Sequence, residues 1–225
     1  MKNNILSGRC IAIGLKYVYE KEEFDYIIVM DADGEDNPEY INYLFNKAIE
    51  NSDKAITAIR TKRTEGKIFK ILYNFHKFIT LIFTGKLINF GNYSCLPKNH
   101  VGDLIKQGSL WNSFSGTIAK TIDKRIGINT NKEKRYYDPS QLSYLNTIIH
   151  SFTISSVFKK RVTIRTTLFC IFFLFIYFVS KLNFFLLVIF FLIVFLLINL
   201  FVSKRTNLTQ LKNSLANIKN IEILK

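Results

Sequence analysis

The chain has 225 residues, 31 lysines and arginines against 17 aspartates and glutamates, and 48% hydrophobic residues that include 21 phenylalanines. This composition excludes a disordered or collagen-like chain. The length allows one ordinary domain with an additional segment, and the 15% aromatic content indicates a membrane or another large apolar surface. The three cysteines show neither a C-x-x-C metal spacing nor an even number for pairing, which favours a reducing compartment for the soluble part.

The charge is distributed unevenly along the chain. Residues 1–50 carry 10 acidic and 5 basic residues, whereas residues 51–225 carry 7 acidic and 26 basic ones. A basic surface suits nucleic acid, anionic lipid or a phosphorylated substrate, and composition does not choose among them. Much of the positive charge flanks an apolar region, where membrane topology explains it, and we therefore expect no nucleic-acid partner.

The first 60 residues alternate between helix and strand patterns. Apolar positions at helical spacing predict a helix over residues 7–19, and the run FDYIIVM, residues 24–30, predicts a buried strand of a parallel sheet. Pro38 suits the first turn of a helix over residues 38–51, and KAITAI, residues 54–59, predicts the next strand. This order of elements indicates an α/β fold with a parallel sheet.

The segment MDADGED contains the residues best suited to chemistry. Asp31 and Asp33 alternate at period two just past the predicted strand, so an extended backbone points both carboxylates to one side. Ligands of open α/β sheets bind at this end of the strands, and a pair of carboxylates suits Mg²⁺ or Mn²⁺. An acidic turn without a metal is the alternative, and the spacing fits an EF-hand less well.

Residues 64–84 place apolar side chains at helical spacing among lysines, which predicts a basic amphipathic helix. Two interpretations remain open: a surface helix packed on the sheet, or a helix in contact with a membrane surface or an anionic ligand. The three histidines, at positions 76, 100 and 150, are isolated in the sequence, and we expect them to be structural.

Residues 166–202 are almost entirely apolar and hold 11 of the 21 phenylalanines. The 22 uncharged residues between Lys181 and Lys204 would span about 33 Å as a helix, enough to cross a hydrocarbon core. The 15 uncharged residues between Arg165 and Lys181 would span about 22 Å, so this helix needs its flanking cations to reach the interface. The sequence predicts a transmembrane pair over about 166–180 and 183–202, with a hairpin inside a soluble core as the alternative.

Cations on both sides of the pair predict its orientation. Four basic residues precede the first helix, three follow the second, and Lys181 alone occupies the turn, so both ends are expected in the cytoplasm. The predicted organisation is a catalytic domain over 1–150, a basic amphipathic interfacial segment over 151–165, the helix pair over 166–202 and a cytoplasmic tail over 203–225. The protein is therefore expected in the membrane, with its soluble part cytoplasmic.

Several segments, taken in order, resemble a known family. DYIIVMDADGEDNPEYI, residues 25–41, resembles the metal-binding segment of glycosyltransferase family 2, especially polyprenyl-phosphate sugar transferases similar to dolichyl-phosphate mannose synthase. Further segments that resemble the family are GRCIAIGL (8–15), RTKRTEG (60–66), FGNYSCLP (90–97), LWN (110–112) and RYYDPSQ (135–141). A C-terminal pair of transmembrane helices is also usual there, so the resemblance covers almost the whole chain.

The resemblance implies a fold and an activity. The fold would be a partial GT-A (Rossmann-like) domain followed by the transmembrane hairpin. The activity would be metal-dependent transfer of a sugar from a nucleotide-diphosphate sugar to a polyprenyl phosphate or another cell-envelope glycan acceptor. Asp31 and Asp33 would be catalytic and would hold Mg²⁺ or Mn²⁺.

The family resemblance also implies substrate-binding residues. Arg60, Arg63 and Arg135 would position phosphate groups, because a guanidinium matches phosphate geometry with two hydrogen bonds, and Asn92 would face the acceptor. Each arginine could instead be a solvated surface charge. Many relatives have an acidic base where this chain has asparagine and serine, but a phosphate acceptor is already an anion near neutral pH and attacks without a strong base.

The family's nucleotide-binding strand and loop should precede residues 8–15 by some tens of residues, and only nine residues precede Cys10. We therefore expect the 225-residue chain alone to bind the donor weakly and to have little transferase activity, since base and ribose contacts supply affinity and orientation. The alternative function is a non-catalytic truncated remnant or a membrane-anchored partner subunit of a glycosyltransferase.

Overall fold

A computed structural model of the chain describes the backbone of residues 7–62, 67–131, 133, 136 and 144–220, and their side chains except those of 60–73 and 144–147. The helices in this part are α1 (Ser7–Lys21), α2 (Tyr40–Glu50), α3 (Lys67–Thr84), α4 (Lys98–Ile105), α5 (Phe114–Thr121), α6 (Tyr144–Ser156), α7 (Lys159–Ser180), α8 (Phe184–Ser203) and α9 (Leu208–Lys212). The strands are β1 (Tyr26–Val29), β2 (Ala55–Lys62), β3 (Ser94–Pro97) and β4 (Arg125–Asn131).

The four strands form one mixed sheet in the order β1-β3-β2-β4. β3 runs antiparallel to both of its neighbours, whereas β2 and β4 are parallel. The predicted α/β class is confirmed, and the two predicted strands, β1 and β2, run in the same direction, but the prediction of a purely parallel sheet is wrong because of β3. The sequence analysis predicted no strand at SCLP, and this short strand lies between β1 and β2.

β1 is an edge strand of the described sheet, with β3 as its partner. All four of its residues are half-buried. The prediction of a fully buried strand is therefore wrong here, because a strand at an edge lacks a neighbour that would cover its second side.

Side chains of the strands alternate between two apolar clusters on opposite faces of the sheet. Ile27, Ala55 and Leu96 belong to the cluster formed with α1, α4 and α5. Ile28 and Cys95 belong to the cluster that packs against α2. Successive residues of a strand point to opposite faces, so the sheet lies between two helical layers.

Of the described helices, α7 and α8 are long and apolar enough to cross a membrane. Only 11% of the most apolar 18-residue stretch of each is buried within the protein. The two helices pack against each other, and their turn places Lys181 at φ 56. α7 has 22 residues, or about 33 Å, because it begins at Lys159. Its first turns are anchored by Val162, which is fully buried. Residues 151–165 are thus divided between α6 and α7.

α7 contacts α3, and α8 contacts α6, so the base of the hairpin is joined to the sheet domain by two amphipathic helices. A third apolar cluster fills this junction and includes Phe83, Phe158 and Val162.

The segment after α8 returns to the sheet domain. Leu211 of α9 is fully buried within the cluster around α1. The indole nitrogen of Trp111 donates to Gln210 Oε1 at 2.7 Å. Asn207 caps α9 by accepting from the Gln210 amide at 2.8 Å, and its own amide donates to the Gly108 carbonyl. Residues 207–217 are therefore part of the domain core's packing.

Candidate active site

The acidic segment forms a tight turn directly after β1. The amide of Asp31 donates to Asp36 Oδ2 at 2.9 Å, and the amide of Glu35 donates to Asp33 Oδ1 at 3.0 Å. Glu35 and Asp36 are buried. Carboxylates of this segment thus close the turn on itself, which fixes the directions in which Asp31 and Asp33 leave the backbone.

Asn92 lies beside Asp31 because of the register between β1 and β3. Val29 pairs with Ser94, so antiparallel pairing carried two residues further brings Asp31 opposite Asn92. The Asn92 amide nitrogen donates to Asp31 Oδ1 at 3.0 Å. The structure therefore brings together two residues that the sequence analysis assigned to the same site from segments 61 positions apart.

Tyr93, next in the chain, forms a hydrogen bond with the residue that follows the acidic turn. Its hydroxyl donates to the Asn37 carbonyl at 3.0 Å, and its ring is buried. Burial, with a smaller contribution from Asp36, raises the pKa of Tyr93 to about 12. The phenol therefore stays protonated at neutral pH and remains a hydrogen-bond donor to the turn.

The chain that follows β4 crosses the acidic turn. The amide of Glu133 donates to the Glu35 carbonyl at 3.1 Å, and the amide of Tyr136 donates to the Asp33 carbonyl at 3.0 Å. The ring of Tyr136 covers Gly34 so closely that a Cβ at Gly34 would lie 2.9 Å from it. Tyr136, the residue of RYYDPSQ that the structure describes, is thus held against the acidic turn.

Not all of the predicted arginines can be placed. Arg60 lies on β2, where its backbone pairs with Thr130 of β4. The side chain of Arg60 and the whole of Arg63 and Arg135 lie outside the described residues. Their roles in phosphate binding stay predictions.

Two histidines that are isolated in the sequence interact in the folded chain: His150 interacts electrostatically with Asp31, and His76 with His150. Desolvation lowers the pKa of His150 on α6, and the Asp31 carboxylate acts in the opposite direction. Burial and, to a smaller extent, the neighbouring His150 lower the pKa of His76 on α3 to about 4. The spacing of residues in the sequence could not predict the interaction between His76 and His150, because α3 and α6 meet only through tertiary packing.

The donor atoms at the turn are of the chemical type that a hard divalent cation prefers. Asp31 and Asp33 supply carboxylate oxygens, which Mg²⁺ and Mn²⁺ prefer, and Mg²⁺ is commonly held by one or two carboxylates with substrate phosphates and water as the other ligands. Across the described residues, no group of three His, Cys, Asp or Glu side chains surrounds a common metal position. A cation at this turn would be held by Asp31 and Asp33 alone among the predicted protein ligands.

Gly34 provides a local test of the turn. Its φ of +89° is strained for alanine, and the added Cβ would meet the Tyr136 ring. We expect Gly34→Ala to destabilise the turn by about 1–3 kcal/mol and to weaken binding of Mn²⁺, measured by calorimetry. Gly14→Ala on α1 is the control, since nothing lies within 4 Å of its Cβ position. Unchanged Mn²⁺ affinity in Gly34→Ala would contradict the described turn.

His76 predicts a pH dependence of stability. An unfolded histidine binds a proton near pH 6.5, whereas folded His76 does so only near pH 4. The unfolded state therefore binds more protons between these values, and lowering the pH through this window should cost up to about 3 kcal/mol of folding stability. Thermal unfolding in detergent from pH 7.5 to 4.5 should show a smaller acid loss in His76→Gln. His100→Gln should behave like the unaltered chain; equal slopes in all three would refute the prediction.

Comparison with known proteins adds no assignment: no family model matches the chain, and no curated protein matches it.

Proposed function

We propose that the protein is a membrane-anchored, metal-dependent glycosyltransferase that moves a sugar from a nucleotide-diphosphate sugar to a lipid phosphate. The observation that carries the proposal is the pairing of Asp31 with Asn92 at the end of β1. It supports a GT-A-like arrangement, because two segments that separately resemble glycosyltransferase family 2 meet at one point. The nearby α6 also packs against the hairpin, which puts the acidic turn close to the apolar helices.

The proposed chemistry is displacement at the anomeric carbon of the sugar. Asp31 and Asp33 would hold Mg²⁺ or Mn²⁺, which neutralises the departing nucleoside diphosphate. Asn92 orients the Asp31 carboxylate, and Asp36 fixes the backbone of the turn. Arg60, Arg63 and Arg135 would position the phosphates of the donor and the acceptor.

The acceptor oxygen needs no strong base, because a phosphate monoester is largely ionised at neutral pH. The protein's contribution is therefore electrostatic positioning of two phosphate-bearing substrates.

The proposal includes insertion of α7 and α8 into the membrane with both ends cytoplasmic. Large apolar side chains along both helices are exposed, including Phe175, Phe178, Phe191 and Phe201. Water contact with so many phenylalanines is costly, whereas lipid is a suitable surrounding. The basic residues at the start of α7 and after α8 favour the cytoplasmic side.

Cysteine labelling tests this topology. In a chain whose three native cysteines are replaced by alanine, Leu182→Cys should react in intact cells with a membrane-impermeant maleimide, because it lies in the hairpin turn. Lys212→Cys on α9 should react only after lysis. Labelling of the turn solely after lysis would overturn the orientation.

Sugar transfer is the test of the proposed function. The purified chain in lipid nanodiscs would be incubated with polyprenyl phosphate and a panel of radiolabelled nucleotide sugars. We expect slow transfer for one donor, stopped by a chelator and restored by Mg²⁺ or Mn²⁺. Failure of transfer with every donor, together with no binding of Mn²⁺, would favour the non-catalytic partner subunit.

A further inference from the structure

A cavity of about 360 Å³ lies where α7 begins and α8 ends, at the junction between the hairpin and the sheet domain. This volume is at the lower end of the range for small-molecule sites, about 300–1,000 Å³. It also exceeds by about tenfold the space that one water occupies in the liquid, about 30 Å³. The cavity is therefore large enough for a phosphate group with part of the molecule that bears it.

Three lysines from three different elements line the cavity. Lys120 lies in the last turn of α5, Lys159 is the first residue of α7, and Lys204 follows α8. None of the residues that line the cavity is acidic. Within the described part of the chain, none of these three ammonium groups forms an ion pair. The three lysines are exposed, and three cations that line one cavity with no acidic lining residue favour an anionic occupant.

The helix ends at the cavity add to this preference. α7 begins after Phe158 without a side-chain cap, so its first amides and its positive dipole end are available to an anion. The C-terminal end of α8, whose dipole is negative, also lies at the cavity but repels an anion only weakly. Its last carbonyls accept hydrogen bonds from the amides of Lys204, Arg205 and Thr206.

Hydroxyl groups complete the polar wall. The single hydrogen of the Thr117 hydroxyl is directed to the Ser113 carbonyl at 2.6 Å, so the Ser109 hydroxyl, 3.0 Å from Thr117 Oγ1, is engaged with Thr117. Ser156 and Ser203 instead donate to the backbone carbonyls of Thr153 and Leu200. These hydroxyls are therefore held within the protein, and the lysine ammonium groups are the donors that the wall offers to phosphate oxygens.

We propose that this cavity binds the phosphate of an anionic phospholipid headgroup. The proposal goes beyond sugar transfer and rests on the proposed membrane insertion of α7 and α8, whose ends at this junction would lie at the level of the headgroups. Basic pockets between helices on the cytoplasmic side are suited to such lipids. The cavity is lined by residues other than Asp31, Asp33 and Asn92, so it is a separate site from the acidic turn.

Native mass spectrometry of the full chain in detergent micelles tests the proposal. With phosphatidylglycerol in the micelles, the chain should retain one lipid, whereas phosphatidylcholine should be lost. Lys120→Gln should weaken phosphatidylglycerol binding about tenfold, because a charge-assisted hydrogen bond is lost. Lys106→Gln, a substitution of an exposed lysine that does not line the cavity, should have no effect.

A second pair of variants separates the site from general surface charge. Lys159→Gln with Lys204→Gln should abolish lipid retention, whereas Lys160→Gln with Arg205→Gln removes the same charge beside the cavity and should preserve it. Inorganic phosphate should compete weakly at the same concentration. Equal losses in both pairs, equal retention of phosphatidylcholine, or full competition by inorganic phosphate would each overturn the lipid site. Asp33→Asn should leave lipid retention unchanged, so a failure of the transferase proposal remains distinguishable.

Discussion

Asp33→Asn should abolish the slow sugar transfer that we expect of the chain, because the substitution removes a carboxylate that we propose holds the charge-stabilising metal. The structure indicates that this variant removes the charge of Asp33 without removing its hydrogen bond in the turn. Asp33 Oδ1 accepts the Glu35 amide at 3.0 Å, and an asparagine carbonyl oxygen can accept the same bond. The turn should therefore keep its shape while the site loses a negative charge.

Radiometric transfer and Mn²⁺ titration measure this effect in parallel. Asp25→Asn is the matched control, because Asp25 is exposed and lies at the end of β1 opposite to the acidic turn. The control should keep the transfer rate of the unaltered chain, and both variants should insert into membranes normally. Near-normal transfer and Mn²⁺ affinity in Asp33→Asn would refute the assignment of this residue as a metal ligand.

Leu211→Ala should lower folding stability by about 2–5 kcal/mol, the usual cost of a large-to-small change at a buried site. Leu211 is fully buried although it follows the second apolar helix, and it packs into the same cluster as Ile13 and Leu110. Its loss would leave a cavity between α9 and α1. The variant thus tests whether the segment after α8 returns to the sheet domain.

The single tryptophan reports on this packing directly, since Trp111 donates to Gln210 next to Leu211. Thermal unfolding followed by tryptophan fluorescence should show a lower midpoint in Leu211→Ala. Leu208→Ala on the same helix is the control, because Leu208 is 38% exposed. Equal midpoints in the two variants would show that α9 does not contribute to the core.

The structure also separates what local patterns predict from what they do not. The first helix, the strand before the acidic turn and the two apolar helices are confirmed near their predicted positions. Each is encoded within a single stretch of chain by spacing of apolar residues or by length between charges. The largest difference between a predicted and an observed boundary is at α7, which begins at Lys159 rather than at residue 166. Val162, in the added turns, is buried by tertiary packing.

Some residues of the candidate site could likewise be predicted from the sequence, whereas others depend on tertiary packing. Asp31 and Asp33 could be found from the sequence, because two carboxylates at period two after an apolar run are a local feature. The hydrogen bond from Asn92 to Asp31 depends on β3 lying beside β1, and the sequence analysis predicted no strand there. The approach of His150 to Asp31 depends on the packing of α6 and has no local signature.

The sequence by itself determined the elements that have a strong local pattern: apolar spacing indicated α1 and α3, a β-branched run indicated β1, and uninterrupted apolar length indicated the hairpin helices. Tertiary structure alone decided the neighbours, namely the place of β3 between β1 and β2 and the return of α9 to Trp111. The physical reason is the range of the interactions. Helices and turns are governed by contacts within a few residues, whereas sheet order and side-chain clusters depend on the packing of the whole chain.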